Sequence, residues 1–138
     1  MRPLGNRIRR GARVANPVAA AVVVALVFAQ VYLIAAFIFG DAGALDAHLA
    51  VGRVTVGCEL AVLLTAVIGW WGDWGEARGA VALLVVGGLQ ASLAKDVGNS
   101  AHVHALHGFL ALVVAALAWS IAAHRRGEIF PPRRVAPG

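Results

Sequence analysis

The chain has 138 residues, of which 60% are apolar and 14% charged, and its mean hydropathy is +0.78. Soluble domains carry about 45–50% apolar and about 25% charged residues, and disordered chains combine low hydrophobicity with high net charge, so the composition excludes both classes. A single cysteine, Cys58, excludes disulfide frameworks, paired-cysteine redox centres and cysteine-rich zinc sites, and the formal charge of +5 is concentrated toward the chain ends.

In chain order, a basic segment (1–17) precedes four apolar stretches. The first runs over 18–39 and is interrupted only by Gln30; the second, 49–71, carries Arg53 and Glu59. The third, 79–94, is short and holds Gly87 and Gly88, and it needs Lys95–Val97 or local bilayer thinning to span. The fourth runs over 103–123, and a second basic segment (124–138) follows. A helix needs about 20 residues to cross a bilayer's hydrocarbon core. The strict alternation of a membrane β-strand is missing from Val18–Val27. The expectation is an all-α, integral-membrane four-helix bundle over 18–123, flanked by two basic tails. The first apolar run is longer than the 7–15 residues of a signal-peptide core, so it reads as a retained span.

Orientation follows from where the positive residues fall. Arg2, Arg7, Arg9, Arg10 and Arg13 precede the first span, Arg125, Arg126, Arg133 and Arg134 follow the last, and Arg78 lies between the second and third. The opposite side has only Lys95 and Arg53. The positive-inside rule places both termini in the cytoplasm and the loops 40–47 and 95–101 outside, in a plasma (inner) membrane. Trp70, Trp71 and Trp74 then belong to the inner interface, and the basic tails act as topology determinants and contacts to the lipid bilayer, with no role toward nucleic acid.

Chemistry in such a chain must come from polar residues inside the bundle. Four of the five histidines, His48, His102, His104 and His107, lie at the outer ends of the second and fourth spans, which run parallel. His48-Leu49-Ala50-Val51-Gly52 and His104-Ala105-Leu106-His107-Gly108 share a His-x-x-x-Gly pattern. Gly52 and Gly108 fall one turn deeper on the histidine face, leaving room for a flat macrocycle edge or for close helix packing. Gln30 and Gln90, each followed three residues later by leucine, add a weak two-helix repeat. Opposed histidines on facing helices suit a haem iron held by two axial imidazoles. His48 pairs with either His104 or His107, the pattern favouring His104, and His102 is more remote. A zinc or copper site from His48, His102 and His104 is the competing reading; the carboxylates that would strengthen it, Asp41, Asp46 and Asp96, lie in loops. Arg53 is a candidate partner for a haem propionate, or snorkels to lipid headgroups.

Glu59 lies eleven residues after His48 and eleven before Trp70, near the bilayer midplane. An ionisable residue at that depth is a candidate functional group. It relays protons or contacts a quinone below the haem, or is a neutral acid bonded to Gln30, Thr55 or Ser120. Cys58 reads as a packing residue and His124 as structural.

The stretches Asp46–Arg53 and His104–Gly108, set at the outer ends of alternate spans, resemble one half of haem A synthase and, more loosely, the cytochrome b561 class. The chain is also similar to small four-span membrane proteins of high-GC actinobacteria, a source consistent with one lysine against eleven arginines. The resemblance covers about residues 18–123. It implies a b-type haem, with His48 and either His104 or His107 as iron ligands. The chain departs from it in having one four-helix unit, ligands at a single depth, and Asp46 almost adjacent to His48.

The functional expectation is a small b-type cytochrome-like protein, binding one haem near the extracytoplasmic face, for electron transfer or haem handling. A membrane redox partner, a quinone, or a homodimer or larger complex would accompany it. The alternatives are a non-enzymatic accessory subunit of a membrane complex, and a small proton-coupled transporter using Glu59.

Overall fold

The computed structural model describes residues 4–94 and 100–130. Its elements are α1 (Leu4–Ile38), α2 (Gly43–Gly69), α3 (Trp74–Leu93), α4 (Ala101–His124) and the single turn α5 (Arg126–Ile129); the described residues contain no strand. Three helices, α1, α2 and α4, are long and apolar enough to cross a membrane, so the chain is an all-helical protein of membrane type. α3 has 20 residues and carries Glu76 and Arg78 in its first turns.

The basic segment 4–17 is not a separate tail. It forms the first turns of α1, with Ala12, Asn16 and Pro17 buried. Pro17 has no N–H to donate to the carbonyl of Arg13, four residues earlier, yet the helix continues through it. The loop expected over 40–47 is also shorter than the hydropathy implied. α1 ends in a Schellman turn, with Asp41 N donating to the Ala36 carbonyl at 3.0 Å and Gly40 N to that of Phe37 at 3.1 Å. Gly40 has φ 109°, a conformation that favours glycine. Asp41 Oδ1 then accepts from Gly43 N at 3.1 Å, and α2 begins there. At the far end of α2 a turn with Gly72 at φ 90° leads to Asp73, whose carboxylate caps α3 by accepting from Gly75 N at 3.1 Å. The residues Lys95–Val97, invoked to lengthen the third span, lie outside the described residues, as does Asp96.

Helices adjacent in sequence pack side by side, and α4 packs against α1 to close the ring. Cross-links such as Arg13 to Gly69 and Gln30 to His48 run α1 antiparallel to α2, and the Gln90–His107 link does the same for α3 and α4. α2 and α4 are therefore parallel and diagonal. The core is built from small and branched residues: Ala20, Val23 and Val27 of α1, Val62 and Ala66 of α2, Ala80 and Leu83 of α3, and Val114, Ala118 and Ile121 of α4. Small residues let backbones approach closely where lipid offers no hydrophobic drive to associate. The large side chains point outward: Phe28, Tyr32, Phe109, Leu112 and Trp119 are all exposed. That inverted surface is suited to lipid, not water.

Candidate functional site

The bundle has a histidine end and an arginine end. At the histidine end, His48 near the start of α2 and His107 in the second turn of α4 meet across the diagonal. Their ring centroids are 6.4 Å apart with planes at 64°. Each ring is oriented by the helix preceding its own. His48 Nδ1 donates to the backbone carbonyl of Gln30 at 3.1 Å, and His107 Nδ1 donates to that of Gln90 at 2.8 Å. A helical carbonyl keeps a second lone pair for such a bond. Because the partner of each Nδ1 is an acceptor, Nδ1 carries a proton, which in a neutral imidazole leaves the lone pair on Nε2. The amide of Gln90, 3.5 Å from His107 Nε2, is compatible with that tautomer.

A ring tethered through Nδ1 has the orientation that a metal-binding imidazole needs; Nε2 of His48 makes no hydrogen bond among the described residues, while Nε2 of His107 has the Gln90 amide at 3.5 Å. Metal–imidazole bonds are about 2.0–2.1 Å long and a ring nitrogen lies about 1 Å from its ring centre, so two imidazoles gripping one ion stand about 6 Å apart. The spacing of His48 and His107 fits an axial pair. No group of three or more His, Cys, Asp or Glu that could hold a metal ion occurs among the described residues, so the zinc or copper cluster of His48, His102 and His104 does not assemble.

Of the two alternatives for the partner of His48, His104 and His107, the structure brings His107 to it. His104 and His102 are exposed, and the half-buried imidazole of α4 is His107. The shared pattern misled because His104 lies three residues before His107, most of a turn but not the same direction; the Gln–His spacing, 18 residues in one half and 17 in the other, is the repeat the fold uses. Gly52 faces the side-chain amide of Gln30, which a Cβ there would meet at 3.4 Å, whereas Gly108 is exposed with nothing within 4 Å. Arg53 is exposed on α2 and has no hydrogen bond or ion pair among the described residues.

Deeper in the bundle, Glu59 is 1% exposed, and its Oε2 is buried without a hydrogen-bond partner among the described residues. The expected partners are committed elsewhere: Thr55 Oγ1 donates to the Val51 carbonyl at 2.9 Å and Ser120 Oγ to that of Leu117 at 2.7 Å, while the Gln30 amide lies over Gly52. The carboxyl occupies a notch at Gly87 of α3, where any Cβ would overlap it. Cys58 beside it is half-buried and free.

At the arginine end a second polar group ties all four long helices together. Arg125, 8% exposed, donates from Nη1 to Asn16 Oδ1 at 2.6 Å and from Nη2 to the carbonyl of Glu76, whose carboxylate lies 3.4 Å away. Asn16 Nδ2 donates to the Val62 carbonyl at 2.7 Å and to Thr65 Oγ1 at 3.0 Å. Arg13 Nε donates to the Gly69 carbonyl at 2.8 Å. The guanidinium carbons of Arg125 and Arg13 lie 3.9 Å and 5.5 Å from the ring centre of Trp70, within cation–π range. Burial lowers the Arg125 pKa from its ordinary value, and the Glu76 and Glu128 carboxylates oppose that. Composition alone had placed Arg125 in a tail and Trp70 at an interface. Trp71, Trp74 and His124 are exposed. Asn16 escaped notice because a lone asparagine at the edge of an apolar run carries no pattern. No protein-family model matches this chain, no curated protein resembles it closely enough to count as a relative, and no solved structure matches it.

Proposed function

We propose that the chain is a small four-span membrane protein that binds one b-type haem between His48 and His107, and that it carries electrons or handles haem. The observation that carries this reading is the diagonal imidazole pair, 6.4 Å between centroids, with each Nδ1 tethered to a glutamine carbonyl on the preceding helix. Bound haem supplies one-electron exchange, with a potential set by its axial ligands and surroundings. The chain's own part is to present two neutral imidazoles at fixed orientation, to exclude water with its apolar helices, and to offer Arg53 to a propionate.

In this reading the four long helices all span, with both ends on the cytoplasmic side of the plasma (inner) membrane and the histidine end toward the extracytoplasmic face. The ten positive residues assigned to one side support that orientation. Membrane redox proteins or quinones are the partners this role calls for, in a homodimer or a larger complex.

The test is the absorption spectrum of the protein purified in detergent after expression with haem supplied. A reduced-minus-oxidised haem band is expected, lost in His48→Ala and in His107→Ala and retained in His104→Ala. A colourless wild-type protein, or a band that survives both substitutions in the pair, overturns the reading.

A further inference from the structure

The imidazole pair leaves one chemically loaded group of the interior unused, the carboxyl of Glu59. It is almost fully buried, one oxygen has no hydrogen-bond partner among the described residues, and the notch that admits it exists because Gly87 has no side chain. Gly87 lies three residues before Gln90, on the same face of α3 and about 4.5 Å away along the axis. Gln90 is the residue whose carbonyl holds His107. One turn of α3 therefore links the notch that holds the carboxyl to the carbonyl that tethers His107, while eleven residues of α2, about 16 Å along the axis, separate Glu59 from His48.

The charged and titratable groups of the surrounding helices do not neutralise it. They are Arg7, Arg9, Arg10, Arg13 and Tyr32 on α1, Glu76 and Arg78 on α3, and His102, His104, His107 and His124 on α4; Asp46, His48, Arg53 and Cys58 share its own helix. None of them makes a hydrogen bond or ion pair with Glu59 among the described residues. A buried carboxylate without a partner is costly, so ionisation of Glu59 needs a positive charge from elsewhere.

We propose that Glu59 is a redox-linked proton site, a deepening of the haem reading that rests on it. With two neutral imidazole ligands the haem core carries one net positive charge when oxidised and none when reduced. A haem held by His48 and His107 would, when oxidised, supply a positive counter-charge to the Glu59 carboxylate, and reduction would remove it. One electron from an external one-electron donor, dithionite in the assay, enters at the imidazole pair. One proton from water joins a Glu59 oxygen and converts carboxylate to carboxylic acid. Reoxidation releases the electron to the acceptor and the proton to water, so charge and atoms balance over the cycle.

The experiment is an equilibrium redox titration of the haem-loaded full chain in detergent, from mildly acidic to mildly alkaline pH. The midpoint potential falls as pH rises, approaching about 59 mV for each tenfold change in proton concentration, the value for one proton per electron. In Glu59→Gln the haem band is unchanged and the potential no longer follows pH through that window. A second readout needs no Gln variant: a hydrophobic carbodiimide, which reacts with the neutral acid, labels Glu59 of the haem-free chain. Loading with oxidised haem suppresses that label and reduction restores it, as read by peptide mass. A haem band with a pH-independent potential, a slope that persists in Glu59→Gln, or labelling indifferent to redox state overturns this inference and leaves the cytochrome reading standing. Absence of a haem band overturns both.

Discussion

Arg125 illustrates how much one side chain does in a bundle whose core is otherwise alanine and valine. From the C-cap of α4, its guanidinium meets Asn16 of α1, the Glu76 carbonyl of α3 and the face of Trp70 at the C-cap of α2. Arg125→Ala would leave the Asn16 carbonyl oxygen without its donor, at a cost of about 1–3 kcal/mol for a buried unsatisfied group. A lower melting temperature in detergent is the expected reading, and Arg125→Lys is expected not to restore it, because an ammonium lacks the planar fork that reaches two acceptors while lying on a ring. Asn16→Ala should cost a similar amount and add little to Arg125→Ala, since the two act in one network. Full additivity of the two losses would show that the network is not a unit. The exposed Glu76 carboxylate at 3.4 Å contributes little to either figure.

At the scale of elements, adjacent glycines on α3 give an internal comparison. Gly87 faces the Glu59 carboxyl with no room for a Cβ, while Gly88 has nothing within 4 Å. Gly87→Ala is expected to destabilise by about 1–3 kcal/mol as the carboxyl is displaced. Gly88→Ala should be neutral, or stabilising by up to about 1 kcal/mol through its better helix propensity. Unfolding in detergent, followed by circular dichroism, separates them; equal effects would mean that the notch is not specific. The α1–α2 connection makes a parallel case: Gly40→Ala forces a side chain into φ 109° and should cost about 1–3 kcal/mol with no steric clash involved.

For the molecule as a whole, the outward large side chains and the inward small ones predict integral membrane behaviour. The protein should stay in the membrane fraction through an alkaline carbonate wash and leave it only with detergent. Release by carbonate would contradict a spanning bundle. Orientation can be read in a Cys58→Ser background: a thiol introduced by Ala42→Cys, in the α1–α2 turn, should react with an impermeant reagent on intact cells, and one introduced by Gly127→Cys should react only after lysis. The reverse pattern would place the histidine end in the cytoplasm.

Sequence alone determined the solvent this chain is made for, its helical class, and which polar residues could matter. Those follow from composition and from runs of apolar residues, which report burial in lipid without any knowledge of partners. His48, Glu59 and Gln30 were visible for the same reason, as polar residues where polarity is expensive. Tertiary structure decided which of those residues meet. It set His107 rather than His104 opposite His48, gave the tethering role to the carbonyls of Gln30 and Gln90, withheld every expected partner from Glu59, and drew Asn16 and Arg125 from the basic ends into one buried network. Such pairings depend on helix rotation and stagger, and here weak spacings of small residues set both. A shift of three residues along α4 changes which histidine faces the bundle axis, yet leaves the hydropathy pattern almost unchanged.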